Sequence, residues 1–438
     1  MAPERRRPHR LHVALLAAMV LAATPVLAQG PEPMKQRLPN GLRVVAQGND
    51  YTATVVLTAL VRVTALHEPR DAGGIRQLTQ MVLATGEGCQ EELLAAAMRP
   101  EAQVAPDFVG LSVAAPAESL EAATRLLRRL LFRPTLSEQS LELARAELVR
   151  NLTARDEVPT TFALDRLAET LYPGVGSGDT TAGDPVEVGA VGLSEVRSFY
   201  GRHYLPNATV IGISGGVDAQ EAVTLVAREM GQVLPGSLPE QRPEPPAGRV
   251  PGVEEIGIGG RTSVFATGGR AVAISAPDYP AMATGIALLG SGMGSRLYRA
   301  LRLDRPLAYT IAAELTPSEA APSGIVIVAC DPQALDEVQQ IVEREIALAT
   351  EEPAGTEELQ RAKRYLIGKH ALRRQRNWEI AHYLAMFELL GGAEGYRLDA
   401  RLAGEIAAVD APGVLAAMRK LFRPAWTVRL RASEAGAN

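Results

Sequence analysis

Residues 73–86, "GGIRQLTQMVLATG", decide how the chain is to be read. Ile75, Leu78 and Val82 recur at helical spacing and make one apolar stripe, so the stretch is expected to be a helix with that stripe against a core. Gly86 follows as a C-terminal stop. On the flank, Gln77, Gln80 and Met81 lie three and four residues apart and are expected to form one patch.

Upstream, "GLRVVAQ" and "TATVVLTALVRVTAL" read as neighbouring strands, with Asn40-Gly41 turning the chain into the first of them. Helices that follow should cover one face of the sheet, an α+β arrangement. With 438 residues, 47% of them hydrophobic and 22% charged, the chain is long enough for two or three domains with substantial cores. A net charge of -5 gives no electrostatic footprint for nucleic acid. Cys89 and Cys330 allow one bridge at most; two free thiols are the simpler expectation.

The first 28 residues have the layout of a cleavable export signal. "MAPERRRPHR" is a basic opening, an apolar run follows, and Val26-Leu27-Ala28 is a small-residue cleavage site. Cleavage there would remove four arginines and one glutamate, leaving a still more acidic chain in a bacterial periplasm.

One unit occurs twice. "GLSVAAPAESLEAATRLLRRLL" from Gly110 and "GIVIVACDPQALDEVQQIVEREI" from Gly324 are each a strand, a polar turn and an amphipathic helix. Glu142, Arg145 and Ala146 match Glu358, Arg361 and Ala362; Pro206, Thr209 and Val210 match Pro424, Thr427 and Val428 at nearly the same offset. Residues 234–252, rich in proline and glycine, read as a linker. The expectation is two homologous domains, 30–233 and 253–435, each a mostly antiparallel sheet covered by helices.

"LPNGLRVVAQ", the apolar strand pair and "GGIRQLTQMVLATG", followed by "FYGRHYLPNATVIGISGGVD" and "GSGMGSRLYRALRLDRPLAY", resemble in order and spacing the pitrilysin/insulinase-type zinc peptidases, the group that includes the mitochondrial processing peptidase. The helix of that family carries His-x-x-Glu-His. Laid over this sequence, the two histidines fall on Gln77 and Met81 and the glutamate on Gln80; the third zinc ligand, a glutamate farther on, falls on Glu147. The resemblance thus implies a zinc site that has lost its chemistry. A neutral amide and a thioether replace two imidazoles, and an amide cannot act as general base. Copper held through Met81 has no nearby His or Cys to support it. The resemblance also implies that Arg296 and Tyr309 hold bound peptide, and that half-length chains pair, a zinc-bearing one often with one lacking zinc.

Two other motifs compete. "GISGG", residues 212–216, fits a nucleophile elbow that would make Ser214 a hydrolase nucleophile; the alternative is a structural turn before a helix capped by Asp218 and Glu221. "GSGMGS", residues 290–295, lacks the spacing and lysine of a phosphate cradle. The histidines remaining after the leader, His67, His203, His370 and His382, show no metal-ligand spacing and read as packed or surface groups. The function expected is therefore a non-catalytic subunit of an exported heterodimeric peptidase, with no cofactor of its own. A standalone periplasmic scaffold or peptide-binding protein is the alternative.

Overall fold

A computed structural model describes residues 31–69, 71–95, 98–173, 183–238 and 250–433; the leader at 1–28 and most of the linker at 234–252 lie outside these residues. The fold is α+β, with two mixed sheets covered by helices. The first sheet contains β1 (Met34–Arg37), β2 (Arg43–Gly48), β3 (Thr54–Val61), β4 (Pro100–Val104), β5 (Val109–Pro116) and β6 (Thr209–Gly215), in the order β1-β2-β6-β3-β5-β4. The second contains β7 (Val253–Gly259), β8 (Ser263–Arg270), β9 (Ala308–Thr316), β10 (Ser323–Cys330) and β11 (Trp426–Ser433), in the order β7-β11-β8-β10-β9.

With β1 set aside, the two orders coincide. In each sheet the first and last strands of the set pair in parallel, β2 with β6 and β7 with β11, and every other pair is antiparallel. β2 and β3, expected side by side, are separated by β6, which lies parallel to β2 and antiparallel to β3. β6 is buried along its whole length, as a central strand with apolar neighbours on both faces must be.

Helix α1 (Ile75–Ala84) packs on one face of the first sheet, with α2 (Glu138–Asp156) against it; Ile75, Leu78 and Val82 share a core with Leu57, Leu111 and Ile211. The expectation of one covered face fails at the other face. There the two halves exchange helices. Helix α3 (Pro159–Leu171), from the first half, packs Ala163, Leu167 and Leu171 against Val264, Val428 and Leu430 of the second sheet. After α4 (Tyr279–Gly290) and α5 (Thr356–Arg373), helix α6 (Asn377–Leu390), from the second half, returns the contact. It packs Leu384, Ala385 and Leu389 against Val45, Leu60 and Val210 of the first sheet.

Both exchanged helices end on arginines from the opposite half. Arg43 and Arg62 donate to the carbonyls of Glu388 and Leu389 at 2.9 and 3.0 Å, and Arg270 donates to the carbonyl of Leu171. A cation at a helix C-terminus meets the negative end of its dipole. Among the described residues no helix is long and apolar enough to cross a membrane. Cys89 and Cys330 are both free and buried; burial, with the Asp331 charge, pushes the Cys330 thiol up to about 11.

Gly212 of β6 sits beneath α6 so closely that a Cβ there would lie 2.0 Å from the Ala381 carbonyl oxygen. Gly212→Ala therefore forces α6 off the sheet and should destabilise the protein by about 1–3 kcal/mol or more. Gly257→Ala, whose Cβ would meet nothing within 4 Å, is the control for urea denaturation. Equal midpoints for the two variants would remove α6 from the account of stability.

Candidate functional site

Helix α1 starts at Gly74, an N-cap with φ 82°, and closes with Gly86 at φ 64°, both backbone conformations that favour glycine. Along it the expected patch divides. Gln77 and Met81 are half-buried, Met81 against the core, but Gln80 is fully buried. Its Nε2 donates to the Gly110 carbonyl at 2.5 Å, and its Oε1 accepts from the Tyr204 hydroxyl at 2.8 Å. An amide has one group of each kind, so it satisfies both neighbours; an ionised carboxylate has nothing to donate to Gly110. Burial also pushes the Tyr204 phenol well above its ordinary range, so it stays a donor. The position expected to be a lost general base is thus a cross-link between α1, β5 and the segment after helix Leu193–His203.

Sequence reasoning missed a second buried feature here. Arg76 is fully buried. Its Nε donates to Glu68 at 2.8 Å and its Nη1 to the carbonyls of Val63 and Ala105 at 2.7 and 2.9 Å, while Nη2 has no hydrogen-bond partner among the described residues. Glu68 also accepts from the Gly74 amide at 2.9 Å, which fixes the first turn of α1. Burial raises the Glu68 carboxyl above its usual range against the opposing pull of Arg76. The available signal was an arginine set within the apolar stripe, between Ile75 and Leu78.

Glu147 lies on α2, exposed, and α2 packs alongside α1, so the fold does bring its helix next to that of Gln77 and Met81. The donor set is one amide, one thioether and one solvated carboxylate, and it does not fit zinc, which takes at least three imidazole, thiolate or carboxylate ligands. Among the described residues no group of three or more His, Cys, Asp or Glu could hold a metal ion.

The histidines are packed instead. His203 lies 4.5 Å from the Phe199 ring and 5.1 Å from His67, and burial, with the His67 and Arg202 charges, holds it down to about 4. His382 stacks on Trp378 at 5.6 Å, and burial, with the Arg373 charge, lowers it to about 4.

Ser214 is not on an elbow. It lies within the central strand β6, fully buried, with its hydroxyl 3.5 Å from Asn377 of α6. Asp218 caps the next helix by accepting from the Glu221 amide at 2.8 Å. The glycine-rich loop after Gly290 follows the C-terminus of α4, the negative end of a helix, which is the wrong end for a phosphate.

Arg296 and Tyr309 go to different places. Arg296 forms a two-point ion pair with Glu358 of α5, its Nε at 3.0 Å, inside a cavity of about 720 Å³. Burial works against the Glu358 carboxylate, but the hydrogen bonds from Arg296 and the Gly355 amide hold it below its usual range. Tyr309 is half exposed on the edge strand β9 and donates to Thr262 at 2.9 Å; it does not line that cavity.

The family profile described as "Peptidase M16 inactive domain" matches residues 190–366. The chain is 27% identical over 237 residues to an "Uncharacterized zinc protease" of Mycobacterium leprae, covering 52% of each chain. It is 27% identical over 311 residues to one of Streptomyces coelicolor, covering 67% of this chain and 65% of that one. The chain thus spans about half and about two thirds of these relatives. Among solved structures, a protease from Helicobacter pylori superposes with a TM-score of 0.84 at 15% identity, over 92% of this chain and 100% of that one. A peptidase M16 inactive domain from Pseudomonas fluorescens superposes with a TM-score of 0.82 at 19% identity, over 92% and 98%.

Proposed function

The chain belongs to the pitrilysin/insulinase-type peptidase family as a non-catalytic homologue, and from that premise we propose that it is the zinc-less subunit of an exported two-chain peptidase. In this reading it pairs with a zinc-bearing paralogue, closes a chamber with it and helps to hold extended peptides there. The observation that carries the reading is Gln80. The general-base position is occupied by a buried amide bonded on both sides, while the two helices of the site remain packed together. Export rests on the leader at 1–28. We also propose that the halves 30–233 and 253–435 are copies of one ancestral unit; the matching strand orders support this.

The purified protein alone is expected to contain no stoichiometric zinc and to leave peptides intact. Co-purification from the native host should recover a chain with an intact His-x-x-Glu-His helix, and mixing the two should give chelator-sensitive cleavage. One zinc per chain with chelator-sensitive cleavage by this chain alone would overturn the proposal. Failure to recover any zinc-bearing partner would leave the standalone scaffold as the better reading.

A further inference from the structure

The helix exchange makes each sheet depend on the half of the chain that does not contain it. Without α6, the face of the first sheet that carries Val45, Leu60 and Val210 is open to water; without α3, so is the face of the second that carries Val264, Val428 and Leu430. An apolar face spanning several strands is not one that a soluble domain leaves uncovered. The helices are no better placed alone, since α6 is apolar and buried around most of its circumference.

Polar groups cross the same boundary and find partners there. Asn377, at the start of α6, accepts from Asn49 at 2.9 Å and donates to Thr52 at 3.0 Å. Near the end of α6 Glu388, its side chain 1% exposed, pairs with Lys35 at 2.8 Å and with Arg43 at 3.4 Å. In the other direction Tyr172, just past α3, donates to the Pro322 carbonyl at 2.6 Å and lies under the Arg270 guanidinium, and Arg166 pairs with Glu254. Asp107 accepts from the amides of Glu319 and Ala320 at 3.1 and 2.8 Å. Apolar packing with its polar groups satisfied in this way is the character of an obligate interface, a core cut in half.

We infer that the two halves are obligate partners held by this exchange and not by the linker between them: a folded chain severed within residues 234–252 remains one folded particle. The linker keeps the halves near each other while each finds the other's helix; the packed faces then hold them. The inference does not depend on the peptidase reading and stands whatever the chain pairs with. On the export reading, its consequence is that a proteolytic cut in the proline- and glycine-rich linker leaves an intact subunit in two pieces.

The test uses the full mature chain with a site for a specific protease inserted in the linker, cut to completion after folding. The two pieces should elute together at the volume of the uncut protein down to about 100 nM, which requires a Kd below that concentration. Thermal unfolding should remain a single transition, and its midpoint should rise with protein concentration after the cut but not before it, because unfolding then separates two chains. Leu384→Ala on α6 and Leu167→Ala on α3, both buried in the exchanged contacts, should each speed the exchange of tagged for untagged halves between cut molecules at least about tenfold, while the uncut variants keep the circular dichroism of wild type. Leu143→Ala, exposed on α2, is the control and should leave that rate unchanged. Pieces that separate or precipitate on cutting, or that unfold in two transitions independent of concentration, would overturn the inference. If either buried leucine can be truncated without speeding exchange, the exchanged helices are not what holds the halves, and the inference fails as well.

Discussion

Gln80→Leu is expected to lower the unfolding free energy by about 1–4 kcal/mol, because it leaves the buried Tyr204 hydroxyl without its acceptor and removes a second hydrogen bond from the Gly110 carbonyl. The Gly110 carbonyl keeps its ladder partner on β4, while the Tyr204 hydroxyl loses its acceptor, and an unsatisfied buried group costs roughly 1–3 kcal/mol. Tyr204→Phe removes one of the two bonds and should cost less. The double variant should then be less destabilised than the sum of the single ones, since the same bond is lost in both. Urea denaturation of the four proteins measures this, and strict additivity would show that the Tyr204 bond contributes nothing. Gln80→Glu follows from the same geometry. A protonated carboxyl can donate to Gly110 and accept from Tyr204, but the ionised form cannot. That variant should therefore be closest to wild type in acid and lose stability as pH rises through the elevated pKa of the buried group. Rebuilding the family motif with Gln77→His, Gln80→Glu and Met81→His is accordingly expected to add metal affinity, at the half-buried positions beside the Glu147 helix, before it adds hydrolysis.

Acidification should destabilise the protein between pH 6.5 and 4 through two buried histidines. His203 and His382 are each held down to about 4 in the folded state, burial being the main cause, against an ordinary value of 6.5. In that window the unfolded chain binds protons that the folded one does not. Stability is therefore complete above 6.5, falls as pH drops, and levels off below 4. Each shift corresponds to about 3 kcal/mol. His203→Phe and His382→Phe keep an aromatic ring beside Phe199 and Trp378 but remove the titration. The difference in unfolding free energy between wild type and each variant, followed from pH 7.5 to 4, should change by that amount; a flat difference would mean that the ring takes up its proton without resistance. Comparing variants in this way also cancels carboxylates such as Glu68, whose raised pKa acts in the opposite direction.

The α+β class and the family were legible in the sequence, because they rest on local chemistry. The stripe of Ile75, Leu78 and Val82 dictates which face of α1 is buried whatever lies opposite, and all three are buried. That no imidazole or thiolate stands at positions 77, 80 and 81 is a fact of composition, and the lack of a zinc ligand set follows without coordinates.

What the sequence could not decide is what each flanking group meets. Gln77 and Gln80 are the same residue type less than a turn apart, yet only Gln80 has Gly110 and Tyr204 opposite it, brought there by β5 and by a segment 124 positions on. Arg76 finds two carbonyls, those of Val63 and Ala105, just beyond the ends of two separate strands. Arg296, for which the resemblance implies a hold on peptide, forms an ion pair with Glu358, whose place opposite it is set by the packing of α5. The helix exchange is the largest such case. α6 carries apolar residues around most of its circumference, which says that it is buried without saying against which sheet. Periodicity and side-chain chemistry act within a turn or two of chain and survive in one sequence; the partner of a buried polar group or helix face is set by segments tens to hundreds of residues apart, and only the folded chain brings those together.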